Sequence, residues 1–397
     1  MKEVYSEIKA YIDANRSEML GLWEHIVNTE SGSRQIEGVN RVGYILQDWM
    51  EAAGIRTRFV EMENAGNVLI GEWNYEGNED KKPFVIVGHM DTVFKEGAVA
   101  ANPFRVDEEG NAHGPGCLDM KPGLVMGIYA VKALKHVGWK ERPVKFIYVG
   151  DEENLHMYSN AADVIKKEAA GALAAFNFET GYPHNKLVVG RKGGGIVEVV
   201  VHGVAAHSGI APEKGRSAVI EAAHKMIEIE SHTDIERGLL INCGLVSGGI
   251  GENTIPDTCS FRMGIRFPSV AIRDEILKII HDAAEHCTVP DTTAEVNIKM
   301  LMDSMENTDG VNALFEHIRR TSIDCGLGDM GSFMVGGVSD SGATVSIGIP
   351  TVCAMGPRGE GNHTEREYAN VESFYERTYL AACALYELKD DFYGVKE

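Results

Sequence analysis

The sequence predicts an α/β protein whose mostly parallel central sheet is flanked by helices and whose chain is interrupted by an inserted ferredoxin-like α+β domain. The first observation behind this is a set of three apolar runs, PFVIVGH (83–89), PVKFIYVGDE (143–152) and LAAFNFET (173–180), each ending in polar residues. Short continuous apolar runs mark strands buried on both faces, which deliver their polar ends to one rim of a parallel sheet. The second is helical periodicity over 121–138 and 158–170, where the crossovers between those strands belong. The third is a change of character near Gly190, where RKGGG gives way to the alternating strand IVEVVVHG.

Taken in chain order, MKEVYSEIKAYIDANRSEML reads as an amphipathic helix with charges throughout. Val42 to Ala53 is helical and stops at Gly54, which suits a helix end followed by a strand. The three buried strands and their crossovers come next. Beyond Gly190, a helix from about Ser217 to Ser231 precedes strands around Leu239 to Val246 and Cys259 to Arg266. A helix after Pro268 and a strand near Ala294 to Met300 complete a β-α-β-β-α-β order. Residues 190–306 are therefore expected to form an inserted domain, and 1–189 with 307–397 the main one. The closing segment offers the strand-like VSIGIPTVCAM (345–355) and a C-terminal helix.

Composition narrows the class. A chain of 397 residues exceeds what one core usually organises, which independently favours two domains. The hydrophobic fraction of 44% and charged fraction of 24% are those of an ordinary globular protein. A formal charge of -21 repels phosphate, so neither nucleic acid nor an anionic membrane is expected as the main partner. The start lacks the uninterrupted apolar stretch of a signal peptide or membrane span, and a cytoplasmic location is expected. Cysteines at 117, 243, 259, 287, 325, 353 and 383 are odd in number and form no CxxC pair, as in reduced thiols used for packing.

Five short motifs carry chemistry. In GHMDTV (88–93), strand alternation puts His89 and Asp91 on one side; a metal-bound imidazole needs an oxygen acceptor for its other ring N–H, and an acid two residues on can serve this or orient a neighbouring base. The plain alternative is a strand-end histidine beside a solvated acid. In GPGCLDMKPG (114–123), three glycines permit a tight loop with Asp119 projecting, though Asp119 is equally placed to cap the following helix. VGDEEN sets Asp151, Glu152 and Glu153 together at the end of a very apolar strand, a repulsive arrangement that a cation resolves better than a solvated turn does. FNFET places Glu179 at the next strand end, and GEGNHTERE (359–367) places His363 in a glycine-flanked loop. Together they give two imidazoles and several carboxylates, a donor set suited to a borderline cation such as zinc.

This ordered set resembles the zinc exopeptidase family that includes carboxypeptidase G, acetylornithine deacetylase, succinyl-diaminopimelate desuccinylase, peptidase T and aminoacylase. The likeness lies in HxD at His89 and Asp91, the GPGxxDMK loop, DEE at 151–153, Glu179 and His363, and spans most of the chain. It implies a zinc-peptidase-like α/β domain with an inserted ferredoxin-like lid that commonly serves as the dimerisation surface. By motif, Asp119 would bridge two zinc ions, His89 and Glu179 completing one site, Glu153 and His363 the other. Cobalt and manganese are alternative ions. Glu152, left free of metal, would be the general base, with Asp91 supporting His89 and tuning that base.

The resemblance extends into the lid. In VVVHGVAAHSGIAPEKGRSAV, His207 is similar to a family histidine that reaches the active site from the partner subunit and polarises the carbonyl oxygen, while His202 carries no such implication. Asn253 in GENTIPD and Arg266 in FRMGIRF stand where the family has substrate-carboxylate and lid residues. Arg191 is read as assisting there, with a simple glycine hinge at RKGGG as the alternative. VGGVSDSGA (335–343) departs from the family's GGTD by having Ser339 before Asp340, and Arg358 is either a substrate-carboxylate contact or a solvated loop residue. The expectation is a cytosolic homodimeric two-metal hydrolase cleaving a small peptide or N-acyl amino acid beside a free carboxylate, most like carboxypeptidase G-type members. A dipeptide or tripeptide aminopeptidase and an N-acyl amino acid deacylase are the competing enzymes. A binding protein with a metal cage and no turnover is the competitor from another class, against which the extra acid Glu152 weighs.

Overall fold

The computed structural model describes residues 2–393. The chain divides into two compact units: residues up to 190, 307–335 and from 339 onward form one, and 191–306 with 336–338 form the other. The first unit is built on a six-stranded sheet in the order Arg56–Val60, Gly66–Trp73, Val144–Gly150, Phe84–His89, Ala174–Asn177 and Thr351–Val352. The last four are parallel to one another, while the first two run antiparallel to their neighbours. The sheet is thus mixed, with its parallel part in the middle, because the chain after Gly54 makes a hairpin rather than a single strand.

Alternation decides which face each side chain enters. Ile86 joins the core shared with the helices Lys121–His136 and Val371–Glu387, whereas Val85 and Val87 face the cluster under the helix Ala161–Ala169. Both faces are covered, which explains why these strands read as unbroken apolar runs.

Two expected elements differ. The N-terminal helix is two helices, Glu3–Ala14 and Arg16–Val27, broken at Asn15, whose side-chain amide donates to the Tyr11 carbonyl at 2.7 Å in competition with the backbone ladder. The run VSIGIPTVCAM is a strand only over Thr351–Val352; its first residue ends the short helix Ser341–Val345, and Pro350, without an N–H, limits how early the pairing can start.

A second, small sheet in this unit has the order Gly359–Glu360, Tyr368–Asn370, Asn111–His113 and Arg105–Val106. Its pairings place the loop that follows His113 beside the hairpin that joins Glu360 to Tyr368.

The second unit holds a four-stranded antiparallel sheet, Leu240–Gly248, Thr258–Phe267, Gly193–His202 and Thr293–Met302, with helices Ala218–Ser231 and Val270–Glu285. Val197, Val199 and Val201 alternate into a core with Phe261, Met263, Ile265, Ile276 and Ile280. The triple glycine opens the strand Gly193–His202 rather than a free loop. A side chain at Gly194 would meet the Arg266 guanidinium at 2.7 Å, so its absence lets Arg266 lie across the sheet.

Candidate metal centre

Three adjacent parallel strands end side by side and aim their polar residues at one point. His89 closes Phe84–His89, Glu152 and Glu153 follow Val144–Gly150 in a 3-10 turn, and Glu179 follows Ala174–Asn177. The carboxyl ends of a parallel sheet are where such sites form, since the strands present diverging backbone and open side chains there. The small sheet brings in the remaining two groups: Asp119 from the loop after His113, and His363 from the Glu360 to Tyr368 hairpin.

Gly116, with φ of 73°, permits that loop's path; a side chain there would meet Thr92 at 2.6 Å. The loop is pinned by Glu367, whose carboxylate accepts from Leu118 N–H at 2.7 Å, Asp119 N–H at 2.9 Å and Gly116 N–H at 3.1 Å. Burial pushes the Glu367 carboxyl up to about 8, against the pull of these backbone donors. From the other side, the buried Lys121 amino group donates to the Thr29 carbonyl at 2.9 Å.

The two clusters share Asp119. His89 Nε2 lies 3.2 Å from Asp119 Oδ1 and 3.7 Å from Glu179 Oε1, while His363 Nε2 lies 3.3 Å from Asp119 Oδ2 and 3.2 Å from Glu153 Oε2. Two ligand atoms each about 2.0 Å from a tetrahedral ion sit about 3.3 Å apart, so these spacings suit groups arranged around a shared cation. His89, Asp119 and Glu179, and separately Asp119, Glu153 and His363, present ligand atoms all within 4.8 Å of one another and could each hold a metal ion. Glu153 Oε1 is buried without a hydrogen-bond partner among the described residues, an orphaned acceptor that a cation would satisfy.

The neighbours orient these groups. His89 Nδ1 is 3.0 Å from the Asp91 carbonyl oxygen and 3.4 Å from its carboxylate, which leaves Nε2 for the cluster. The Asp91 carboxylate, fully buried, accepts from Glu152 N–H at 3.2 Å and Glu153 N–H at 3.1 Å. It therefore fixes the backbone of both acids. Glu152 is 6% exposed and belongs to neither cluster. Burial raises its carboxyl well above the ordinary range; His89 opposes this, and Glu179, Asp340 and Glu153 add to it. Asn362, beside His363, donates to Asp119 Oδ2 at 3.1 Å.

The residues singled out in the second unit are exposed or engaged locally. His207 pairs with Thr254 in a two-residue ladder that sets it near Asn253, and both are exposed. His207 Nδ1 accepts from Gly209 N–H at 3.1 Å, leaving Nε2 outward. Arg266 is exposed and donates to the Ile265 carbonyl, and Arg191 turns toward the Gly337 and Val338 carbonyls at 3.4 Å each. In the first unit Arg358 is paired with Glu376 at 2.6 Å. Sequence reasoning missed Glu367 and Asn362, although both stand in the GEGNHTERE motif, and it missed His156, which lies between Asp151 and Asp340; the signal for Glu367 was an acid four residues after a candidate ligand.

The chain has recognisable relatives. Peptidase family M20/M25/M40 matches residues 85–387. Carboxypeptidase G2 of Pseudomonas sp. (strain RS-16) is 27% identical over 373 residues, covering 92% of this chain and 88% of its own length. Succinyl-diaminopimelate desuccinylase of Ehrlichia ruminantium (strain Welgevonden) is 25% identical over 260 residues, 61% of this chain and 67% of its own. Among solved structures, aminopeptidase PepT from Bacillus cereus ATCC 10987 shares the fold with a TM-score of 0.69 at 20% identity, covering 94% of this chain and 98% of its own.

Proposed function

This chain belongs to peptidase family M20/M25/M40 and is a hydrolase of the metallopeptidase kind, and from that premise we propose that it cleaves a peptide or N-acyl amide bond next to a residue bearing a free carboxylate. The observation that carries the reading is one shared acid, Asp119, between two three-residue clusters, with an unliganded buried acid, Glu152, held beside them by Asp91. His89, Asp119 and Glu179 would hold one divalent ion and Asp119, Glu153 and His363 a second, with zinc as the first choice and cobalt or manganese as alternatives. When bound, such a pair supplies Lewis acidity for the scissile carbonyl and for the attacking water. Glu152 accepts the proton of that water and returns it to the leaving amine. Asp91 keeps Glu152 and His89 in place.

The carboxypeptidase G-like preference is supported by the length of the likeness to carboxypeptidase G2, which runs over nearly the whole chain. Arg266, with Asn253 and Arg191, is the proposed reader of the substrate carboxylate, a guanidinium fork being suited to it. The second unit, residues 190–306 in the domain reading, is proposed as a lid and dimerisation domain. Its edge strand Leu240–Gly248 exposes Leu245 and Val246 at 62% and 60%, an open edge that a second copy would cover. His207 would then act as an oxyanion donor to the partner's site.

The test is mass-spectrometric hydrolysis of dipeptides, tripeptides and N-acyl amino acids by metal-loaded and chelator-treated enzyme in parallel. Chelator-sensitive release of a residue with a free carboxylate supports the reading; release from amino termini alone replaces it with an aminopeptidase. For the lid, confirmed mixed dimers of His207→Ala and Glu152→Gln chains should regain activity, and no regain removes the cross-subunit role.

A further inference from the structure

Behind Glu152 lies a chain of three buried titratable groups that the reaction as described does not use. His156 Nδ1 is 2.8 Å from Asp151 Oδ1 and its Nε2 is 2.6 Å from Asp340 Oδ1. All three residues are buried, at 9%, 0% and 2% exposure. Carboxylates accept and do not donate, so a ring facing one on each nitrogen is doubly protonated and carries a positive charge. The second oxygen of each acid, Asp151 Oδ2 and Asp340 Oδ2, has no hydrogen-bond partner among the described residues. The imidazolium is thus what answers both buried acids.

The location gives this chain of groups its significance. Asp151 immediately precedes Glu152, and the turn carrying Glu152 closes through Leu155 N–H to the Glu152 carbonyl at 2.6 Å and His156 N–H to the Asp151 carbonyl at 3.1 Å. Leu155 and His156 both have positive φ, 57° and 52°, a conformation that side-chain-bearing residues hold only when their surroundings fix it. Asp340 stands at the start of the helix Ser341–Val345, far away in sequence, so the ring ties the turn to a separate element of the same unit. Glu152 is consequently held from two directions: Asp91 binds its backbone N–H, and the Asp151–His156–Asp340 chain clamps the turn behind it. The positive ring also offsets the negative field that two bare acids would impose on the neighbouring base.

We propose that His156 is a positioning residue for Glu152, bridging Asp151 and Asp340 so that the Glu152 carboxylate keeps a single location beside the shared Asp119. This rests on the reading of Glu152 as the proton acceptor.

The experiment is a double-mutant cycle in full-length, metal-loaded enzyme: wild type, His156→Gln, Glu152→Gln and the double variant, with kcat, KM and bound metal measured on the best-cleaved member of the panel above. His156→Gln is expected to lower kcat roughly 10- to 100-fold, the scale of a displaced catalytic group, with metal content and KM unchanged. In the Glu152→Gln background the same substitution should lower kcat no further. An equal fractional loss in both backgrounds, a loss that tracks missing metal, or no loss at all overturns the proposal. Failure of the general-base reading has a different signature, namely that Glu152→Gln alone retains most activity. Should His156→Gln not fold, Asp340→Asn, which keeps the side-chain shape, is run through the same cycle with the same expectations.

Discussion

Glu221 in the second unit and Glu153 in the first are acids of helical turns largely removed from water, yet they are treated in opposite ways. Glu221 is fully buried and accepts from Lys225 at 2.9 Å, Thr288 N–H at 3.0 Å and Val289 N–H at 2.6 Å. Lys225 in turn donates to the Ala283 carbonyl at 2.6 Å. Each charge there is met by a neighbour of the same chain, the condition under which a buried ion pair is tolerable. Glu153 has one oxygen near His363 and the other without a hydrogen-bond partner among the described residues, and Asp119 and Glu152 share its surroundings, with His363 and His89 as the opposing groups. A buried acid saturated by its own chain is architecture; a group of acids left short of donors is built for a cation from outside.

That contrast can be broken in four ways, taken from the largest effect down. Removing metal with a chelator should abolish turnover and raise hydrogen exchange in peptides covering 114–120 and 361–367, while the Ala218–Ser231 helix keeps its protection. Equal loosening of both regions would erase the distinction. Next, Glu152→Gln should cost about 100-fold or more in kcat with the metal content of the wild type retained by mass spectrometry; substantial residual turnover would assign the proton transfer elsewhere. Third, Glu221→Ala leaves Lys225 buried beside an absent partner and should lower stability to urea by about 3 kcal/mol with metal content unchanged. A neutral result would mean the pair is not saturating in the way its distances imply.

The smallest effect concerns pH. Burial pushes the Glu221 carboxyl up, but Val289, Lys225 and Thr288 outweigh it and hold the group below its ordinary range. Because the folded value lies below the unfolded one of about 4.3, the stabilisation is complete above that value and fades as pH falls through the folded value. The gap in urea midpoint between wild type and Glu221→Gln should therefore narrow as pH drops from about 6 toward about 3. A gap that widened on acidification would reverse the assignment of sign.

Much of the site was legible because buried parallel strands write themselves as apolar runs with polar ends, and His89, Glu152, Glu153 and Glu179 all stand at such ends. Asp119 and His363 were legible as motif residues, but what joins them was not. The pairing of Asn111–His113 with Tyr368–Asn370 involves three residues on each side, too few to show a period. Glu367 and His156 escaped for a related reason: their partners are backbone N–H groups and a distant acid, contacts that leave no spacing in the sequence. The helix break at Asn15 was visible only as a single residue whose side chain can compete with the ladder. In VSIGIPTVCAM the apolar run was real, and Pro350 was the feature to weigh against a strand.

The hairpin that joins Glu360 to Tyr368 also sets an order of events during synthesis. A chain emerging amino end first has made His89, Asp119 and Glu179 before the second unit is begun. His363 and Glu367, which face and pin Asp119, arrive only after that unit has been translated. A nascent chain halted anywhere between them carries one cluster without the other and a loop without its anchor, so the group of Asp119, Glu153 and His363 can be assembled only after the whole second unit has been made.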